Sequence, residues 1–302
     1  MKFHSAQANR LGNRNNNQDR FEIIESEGGA LMVLADGMGG RPYGEFAAQL
    51  VVDVARHHYR ETGGFIGDER AFLDSVIHYA HQAILELAEL ENMESIPGTT
   101  AVLALLQDDQ INWAHVGDSR LYLLRDSKMV VRTTDHSQVE ELYRKGKITR
   151  KQQLTHPHLN QITRCVGCHD EGPEVEHSEP MMLQAKDIIL MCSDGLWGSF
   201  KDDELAEHMA INELLLGELT ERLASMAEKK GYPSSDNVSV ITLQVDEVDG
   251  HMDSKLFDSY SKKQATQSET PLQSAIDQIQ QLMAEYEDEF NSDPDSKSNS
   301  DS

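Results

Sequence analysis

The ten-residue stretch LMVLADGMGG, residues 31–40, constrains this chain more than any other part of its sequence. A short apolar run leads to Asp36 and glycines follow at once, which predicts a buried strand that delivers one carboxylate to a turn. Glycine has no Cβ, so the backbone here can come close to whatever the carboxylate binds. The construction recurs at Asp118 in AHVGDSR and at Asp194 in IILMCSDGLW, and Asp236 opens a strand in SSDNVSVITL. Several strands that each present an aspartate at one end require a common explanation.

A divalent metal site explains the repeated aspartates better than isolated turns do. Mg²⁺ and Mn²⁺ prefer oxygen ligands, and the short aspartate side chain fixes each oxygen relative to a rigid sheet. One such Asp is more simply read as a turn cap, but three in the same setting and a fourth nearby favour a metal cluster. Gly37 would let its own carbonyl face the metal.

Two such ions about 3.5–4 Å apart can share a hydroxide that attacks phosphorus in line, while their charge neutralises the phosphate. A cationic side chain is then needed to orient the phosphate. Arg14 is suited to this role as a bidentate clamp. Its spacing fits a solvated loop arginine equally well.

The charge and the cysteines of the chain limit its partners and location. The formal net charge of the 302 residues is −25 at pH 7, which argues against nucleic acid and anionic membranes because like charges repel at long range. No apolar run approaches the roughly 20 residues that cross a membrane, and the N-terminus has no apolar signal segment. Three cysteines without regular spacing favour a reducing compartment. We expect a cytoplasmic protein.

The order of predicted elements favours an α+β fold over a doubly wound parallel sheet. Helical periodicity is predicted over about 42–59, and Asp68 caps a second long helix. Strand-like runs at 99–106, 110–116 and 120–125 are joined by links too short for crossover helices, which indicates antiparallel hairpins. The later elements are strands at 187–192 and 238–245 and helices at about 202–210 and 212–230.

Two segments differ from this core in composition. Residues 135–170 are polar, with two short helical patterns, and are interpreted as a lid or flap. From about residue 246 the chain is acidic and rich in Ser and Gln. Apolar residues four and three apart predict one amphipathic helix over about 270–290, which either docks a partner or the catalytic domain, or packs passively. Residues 291–302 are predicted to be disordered.

Eight segments together resemble one known family. They are RNNNQD (14–19), LADGMGG (34–40), GTTAVLALL (98–106), HVGDSRLYLLRD (115–126), TTDHSQVEELYRKGKIT (133–149), HPHLNQITRCVG (156–167), CSDGLW (192–197) and DNVSVITL (236–243). In this order they look like the bacterial branch of the metal-dependent protein serine/threonine phosphatases, the PPM or type 2C family. Each motif alone is weak, but the set is specific and covers about residues 1–245.

The resemblance implies an architecture and a reaction. The fold would be a central antiparallel β-sandwich flanked by helix pairs, in four layers, with about 135–170 as a flap that shapes substrate access. Residues 1–246 would form the catalytic domain and 247–302 an acidic C-terminal extension. The reaction would be hydrolysis of phosphoserine and phosphothreonine in proteins, by direct attack of a metal-bridging water or hydroxide, in opposition to a serine/threonine kinase.

The resemblance also implies a centre of two Mn²⁺ or Mg²⁺ ions. Asp36 would bridge the ions, with the Gly37 carbonyl on one of them and Asp194 and Asp236 on the other.

Three further residues match family positions. Asp19 would act through bound waters, and Arg14 would bind the phosphate. Asp118, together with Asp194, would form a third, weaker metal site.

Met38 is a departure from the animal members of this family, which place a histidine there as proton donor to the leaving group. Bacterial members commonly lack this histidine, so activity is expected but the general acid is unassigned. A metal-bound water, His4 or His136 could supply the proton, although a surface or capping role is the simpler interpretation of both histidines.

Other function classes fit the sequence less well. A cysteine phosphatase needs Cys followed by five residues and Arg, which none of the three cysteines has, and no P-loop Gly-Lys-Ser/Thr is present. No histidine or cysteine set has zinc spacing. Cys165-Val-Gly-Cys168 is interpreted as incidental thiols, with an oxidation-sensitive flap as the alternative. A catalytically dead binding module would have lost metal aspartates, and this chain keeps them.

Overall fold

Strands and helices occur in blocks along the chain. A computed structural model describes residues 1–38, 43–153, 156–159, 161–169, 171–210, 214–249, 276–277 and 279–280. The strands in these ranges are β1 (Lys2–Arg10), β2 (Asp19–Ser26), β3 (Gly29–Asp36), β4 (Ala101–Gln107), β5 (Gln110–Val116), β6 (Arg120–Arg125), β7 (Lys128–Arg132), β8 (Glu176–His177), β9 (Met181–Met182), β10 (Ile188–Cys192) and β11 (Val238–Glu247). The helices are α1 (Gly44–Glu61), α2 (Glu69–Leu90), α3 (Gln138–Arg144), α4 (Arg150–Gln153), α5 (Asp194–Trp197), α6 (Asp202–Met209) and α7 (Leu216–Gly231).

Two sheets pack face to face at the centre of the protein. One has the strand order β1-β11-β10-β6-β7 and the other β2-β3-β4-β5-β8, with β9 also paired to β5. These pairings are antiparallel. Side chains from both sheets, such as Met32 and Leu34 of β3 and Leu121 and Leu123 of β6, share one buried core. The predicted antiparallel β-sandwich is confirmed.

The long apolar run before Asp36 follows from the position of β3 between two layers. Successive side chains of a strand point to opposite faces. Met32 therefore joins the core between the sheets, while Leu31 and Val33 join the core beneath α1 and α2. A strand that is covered on both faces needs apolar side chains at every position, so its sequence does not alternate.

Helices cover the outer face of each sheet. α1 and α2 pack on the sheet that contains β3 through residues such as Leu50 and Ile77. α5, α6 and α7 cover the other sheet through residues such as Trp197, Leu205 and Leu223. The four layers agree with the expected helix–sheet–sheet–helix arrangement. None of the described helices combines the length and the apolar character that a membrane span requires.

β1 is a strand that the polar N-terminal sequence does not signal. It pairs with β11 from Lys2 to Arg10 and forms one edge of its sheet. Most of its side chains are exposed or half-buried, and only Ala8 is buried. A strand with one solvent-exposed face and one unpaired edge needs few apolar residues. The composition of residues 1–20 therefore did not predict β1.

The link between β5 and β6 is not the predicted hairpin. The two strands belong to different sheets, and the chain crosses between them at Gly117, where φ is +106°. A Cβ at Gly117 would also stand 2.8 Å from the Cβ of Thr100, so this crossing requires glycine. Asp118 therefore lies where the chain passes from one sheet to the other.

The segment predicted as a flap contains the two expected short helices. α3 ends before Gly146, which has φ +67°, and α4 begins with the predicted capping box. In this box the Gln152 N–H donates to Thr149 Oγ1 at 3.3 Å, and the Thr149 N–H donates to Gln152 Oε1 at 2.9 Å. The interpretation of residues 135–170 as a flap stays a prediction.

Part of the predicted C-terminal helix packs on the α1–α2 layer. Ile276 and Ile279 have helical backbone and are fully buried in the core that includes α1 and α2. Gln280 Nε2 donates to Glu91 Oε1 at 2.8 Å. The rest of the predicted 270–290 helix, and the end at 291–302, lie outside the described residues.

Candidate metal centre

Five aspartates from both sheets meet at one end of the sandwich. Asp19 begins β2 and Asp36 ends β3, and the antiparallel register places the two opposite each other. Asp118 follows β5, Asp194 begins α5 just after β10, and Asp236 lies just before β11. The charges of the other four all act on Asp36. The structure thus brings together the four aspartates of the strand-end pattern and Asp19, which the family resemblance added.

Four of these carboxylates line a cavity of about 560 Å³. The lining residues are Arg14, Asn15, Asn16, Gln18, Asp36, Gly37, Met38, Thr100, Asp118, Ile162, Asp194, Asp236 and Asn237. Asp19 is not among them and is only 2% exposed. Arg14 is the one cationic side chain in this set, so the cavity is strongly negative.

Two threonines fix the backbone at Asp36. The Asp36 N–H donates to Thr100 Oγ1 at 3.0 Å, and its carbonyl accepts from Thr99 Oγ1 and from the Thr100 N–H, each at 2.9 Å. At Gly37, a Cβ would overlap the backbone carbonyl of Gly44. Only glycine allows this close approach of two chain segments. The glycine is visible in the strand-end pattern of the sequence, whereas the role of the two threonines is not.

Asp19 has one satisfied and one unsatisfied carboxylate oxygen. Ser193 Oγ donates to Asp19 Oδ2 at 2.8 Å, and Ser193 Oγ accepts in turn from the Ser239 N–H at 3.0 Å. Asp19 Oδ1 is buried without a hydrogen-bond partner among the residues described. An unpaired buried oxygen is unfavourable, and each such group needs an explanation. A cation at this position would supply the missing partner.

Burial and mutual repulsion raise the pKa values of the clustered carboxyls. Burial is the main cause of the raised pKa of Asp36 and of Asp194, and neighbouring carboxylates add to it. Burial also raises the pKa of Asp118 to about 7, and the charge of Asp135 acts in the same direction. Such groups do not all ionise together unless positive charge is supplied. An all-oxygen, acidic donor set fits the hard cations Mg²⁺ and Mn²⁺.

Arg14 reaches the cavity beside Asp236. Its Nη2 donates to Asp236 Oδ2 at 2.6 Å, and about half of the Arg14 side chain is exposed. This hydrogen bond is the main cause of the raised pKa of Arg14, to which the charges of Asp236, Asp194 and Asp36 contribute. The guanidinium thus lies where an anion in the cavity would meet it.

Neither histidine considered as a proton donor lines the cavity. His4 lies on β1, where its Nδ1 is 2.9 Å from Asp246 Oδ1. His136 Nδ1 accepts from the Gly117 N–H at 3.1 Å instead. Met38 does line it.

A second polar cluster lies outside this cavity. His115, His136 and Glu176 place ligand atoms within 4.8 Å of one another, although no histidine or cysteine set has zinc spacing in the sequence. The strand pairing of β5 with β8 places Glu176 opposite His115, and no sequence spacing signals such a non-local pairing.

Hydrogen bonds engage both nitrogens of the His136 ring. The Gly117 N–H donates to His136 Nδ1, and His136 Nε2 lies 3.3 Å from both Glu176 Oε2 and Arg164 Nη1. The His136 ring also stacks on His115, with 4.6 Å between the ring centroids. In this arrangement the cluster holds the Gly117 backbone, which leads directly into Asp118.

Comparison with known proteins assigns the family. The model of the protein phosphatase 2C family matches residues 6–233. The chain belongs to the protein phosphatase 2C family. The phosphatase 2C match includes four of the five clustered aspartates and ends just before Asp236.

Two named relatives of this phosphatase 2C chain are bacterial. Serine/threonine protein phosphatase PstP of Mycobacterium tuberculosis is 35% identical over 236 residues, which are 78% of this chain but 43% of PstP. The chain thus spans less than half the length of that relative. Serine/threonine phosphatase stp of Listeria innocua is 31% identical over 234 residues, 76% of this chain and 91% of stp.

A solved structure shows that the likeness extends to the fold. The catalytic domain of PstP, in complex with two manganese ions, matches with a TM-score of 0.68 and 32% identity over 81% of this chain and 99% of that one.

Proposed function

We propose that this chain is a metal-dependent serine/threonine protein phosphatase that hydrolyses phosphoserine and phosphothreonine in proteins. The observation that carries the proposal is the convergence of five aspartates from two sheets, four of which line one cavity with Arg14 as the cationic side chain of its lining. Membership of the phosphatase 2C family and the names of the relatives support it.

The aspartates and one carbonyl would hold the cations. The proposed ligands are Asp19, Asp36, the Gly37 carbonyl, Asp118, Asp194 and Asp236, for two core Mn²⁺ or Mg²⁺ ions and a third at Asp118. Bound there, divalent cations would activate water and neutralise phosphate charge. The unpaired oxygen of Asp19 and the raised carboxyl pKa values support the proposal, since positive charge relieves both.

The side chains around the aspartates would bind and orient the substrate. A guanidinium can donate two parallel hydrogen bonds to phosphate oxygens, so Arg14 would hold the phosphoryl group in register. Thr99 and Thr100 would keep the Asp36 backbone in place through the bonds described above. Since neither His4 nor His136 lines the cavity, we assign the leaving-group proton to water.

The domain assignment is part of the proposal. Residues 1–246 would form the catalytic domain, with 135–170 as a flap, and 247–302 an acidic extension. The burial of Ile276 and Ile279 supports docking of the extension on its own catalytic domain rather than on a partner.

Partners and location are proposed from the chemistry of the chain. Phosphoproteins would be the substrates and a serine/threonine kinase the opposing enzyme. The net charge of −25 supports the exclusion of nucleic acid and of anionic membrane surfaces as partners. The low cysteine content supports a cytoplasmic location, which cell fractionation would test.

Two conservative substitutions test the proposed activity. Asp36→Asn and Asp194→Asn should each abolish Mn²⁺-dependent hydrolysis of p-nitrophenyl phosphate and of a phosphothreonine peptide, as should a chelator. Asp126→Asn is the matched control, because Asp126 is exposed at the turn between β6 and β7. Circular dichroism would verify folding of each variant. Turnover at the wild-type rate in either test variant would refute the metal assignment, and peptide binding without turnover in the wild type would favour a binding module.

A further inference from the structure

Two of the three cysteines form a disulfide. Cys165 and Cys168 are joined, with their Cα atoms 5.7 Å apart, which is within the usual range. Both residues are partly exposed. Cys192 is fully buried and burial raises its pKa, so its thiol is unreactive. The interpretation of Cys165 and Cys168 as incidental thiols therefore does not describe this structure.

The segment between the two cysteines is paired to the backbone of the metal centre. Val166 and Thr99 exchange two backbone hydrogen bonds, at 2.9 and 3.0 Å. Thr99 also forms an isolated antiparallel β-bridge with Gly37 on its other side. Its Oγ1 donates a hydrogen bond to the Asp36 carbonyl. One threonine thus connects the cysteine segment to the proposed bridging ligand.

A second contact joins the disulfide to the cavity wall. Cys168 Sγ lies 3.4 Å from Met38 Sδ, and Met38 lines the cavity. Gly98 lies against both sulfur atoms, since a Cβ there would stand 2.7 Å from Cys168 Sγ and 2.9 Å from Met38 Sδ. With no space between these groups, a displacement of Cys168 displaces Met38.

The turn that carries the cysteines is anchored to α2. The Gly167 N–H donates to His81 Nδ1 at 3.1 Å. Gly167 has φ +85°, and a Cβ there would stand 2.6 Å from Ile84 Cγ2. The backbone between the cysteines therefore has little freedom, and the two sulfur atoms are the parts of the segment that chemistry can change.

We propose that Cys165 and Cys168 are a thiol–disulfide exchange site through which low-molecular-weight disulfides and thiols set the metal affinity of the centre. The proposal rests on the proposed phosphatase function. The disulfide form holds Val166 against Thr99 and Cys168 against Met38, and so keeps the Asp36 backbone in place. Reduction removes the cross-link and loosens this pairing. Disulfides in cytosolic proteins are usually transient and redox-sensing, which suits the proposed location.

Glutathione disulfide can oxidise the Cys165–Cys168 dithiol in two exchange steps. The thiolate of one cysteine attacks a sulfur of glutathione disulfide, which forms a mixed disulfide and releases one glutathione thiolate. The second cysteine thiolate then attacks the protein sulfur of the mixed disulfide, closes the Cys165–Cys168 bond and releases the second glutathione. The two cysteines lose two protons and two electrons, and both glutathione molecules leave as thiols. Reduction by two glutathione molecules reverses these steps.

The test uses the full chain in glutathione buffers of graded redox potential. Alkylation and mass spectrometry would report the disulfide fraction, hydrogen exchange would report the amides of Thr99 and Val166, and phosphatase assays would report the Mn²⁺ requirement. On reduction we expect both amides to exchange faster and the Mn²⁺ concentration for half-maximal activity to rise about threefold to tenfold. Cys165→Ser/Cys168→Ser should behave as the reduced protein in every buffer. Cys192→Ala, the control, should keep the wild-type response.

Several results would overturn the proposal. The pair should change between thiol and disulfide across the buffers, so cysteines that stay in one state would contradict the proposal. Equal amide exchange and an equal Mn²⁺ requirement in the reduced and disulfide forms would also contradict the proposal. Absence of phosphatase activity in every buffer would refute the proposed function instead, while thiol titration and amide exchange would still decide whether the cysteines control the Thr99 pairing.

Discussion

Asp118→Asn should stabilise the metal-free protein at alkaline pH. Asp118 is 5% exposed, and its pKa is raised from 3.8 to about 7, mainly by burial and then by the charge of Asp135, against the opposing charge of Arg120. A carboxyl whose pKa is higher in the folded state stabilises the fold when it is protonated. Its contribution is complete below about pH 4 and is lost as the pH rises through about 7.

The magnitude follows from the two pKa values of Asp118. A rise of about three pKa units corresponds to about 4 kcal/mol at 1.36 kcal/mol per unit. Over the range from about pH 5 to pH 8, linkage gives a loss of about 2 to 3 kcal/mol in the free energy of unfolding of the wild type from Asp118 alone. Asparagine keeps the shape of the side chain without the charge, so the variant should not suffer this loss.

Urea unfolding in the presence of a chelator, at pH 5 and at pH 8, measures the effect. The stability of Asp118→Asn relative to the wild type should increase by about 2 to 3 kcal/mol between the two pH values. Asp126→Asn, the exposed control, should stay within about 0.5 kcal/mol of the wild type at both. An unchanged difference between Asp118→Asn and the wild type would refute the view that unpaired buried charge destabilises the metal-free centre.

Three further predictions concern the ions, a buried ion pair and the C-terminal segment. Mn²⁺ at 100 times its Kd should stabilise the wild type by about 2.7 kcal/mol. Calorimetric melting should show a smaller Mn²⁺-induced rise in melting temperature for Asp36→Asn, and equal rises would contradict the role of Asp36 as a ligand. Arg120→Ala should cost about 3–5 kcal/mol in urea unfolding, because it leaves buried Asp135 without its partner at 2.6 Å; a loss under 1 kcal/mol would show that the site relaxes. Ile279→Ala should cost about 2–5 kcal/mol, since Ile279 is fully buried, and unchanged stability would argue against docking of this segment.

The aspartates of the centre could be predicted because each one belongs to a local pattern. An apolar run that ends in Asp followed by Gly or Ser is visible within a few residues, as at Asp36 and Asp194. The groups that hold these aspartates could not be predicted in this way. Thr99 and Ser193 act across strand pairings and sheet contacts, and their sequence neighbourhoods contain no sign of the partner.

The errors in the predicted fold arise where a short link has two physical solutions. A three-residue link such as 117–119 can close a hairpin or carry the chain from one sheet to the other. Length and turn residues are the same in both cases, so only the packing of the two sheets decides. β1 was missed for a related reason, because an exposed edge strand is defined by its partner β11 and not by its own apolar residues.

Proton binding and cation binding at this centre compete for the same carboxylate oxygens. The pKa of Asp118 is raised to about 7, so near neutral pH a cation at Asp118 must displace a proton. The deprotonated fraction of such a group rises about tenfold between pH 6 and pH 8, and the Mn²⁺ affinity of a site that uses Asp118 should rise about tenfold with it. Calorimetric titration of Mn²⁺ at the two pH values measures this, with Asp118→Asn as the variant in which the Asp118 contribution disappears. A pH-independent affinity in the wild type would mean that Asp118 is already ionised at pH 6, and would refute its raised pKa. The stability that the metal-free fold loses as the pH rises and the pH dependence of metal binding then have one cause, the burial of the Asp118 carboxyl beside Asp135.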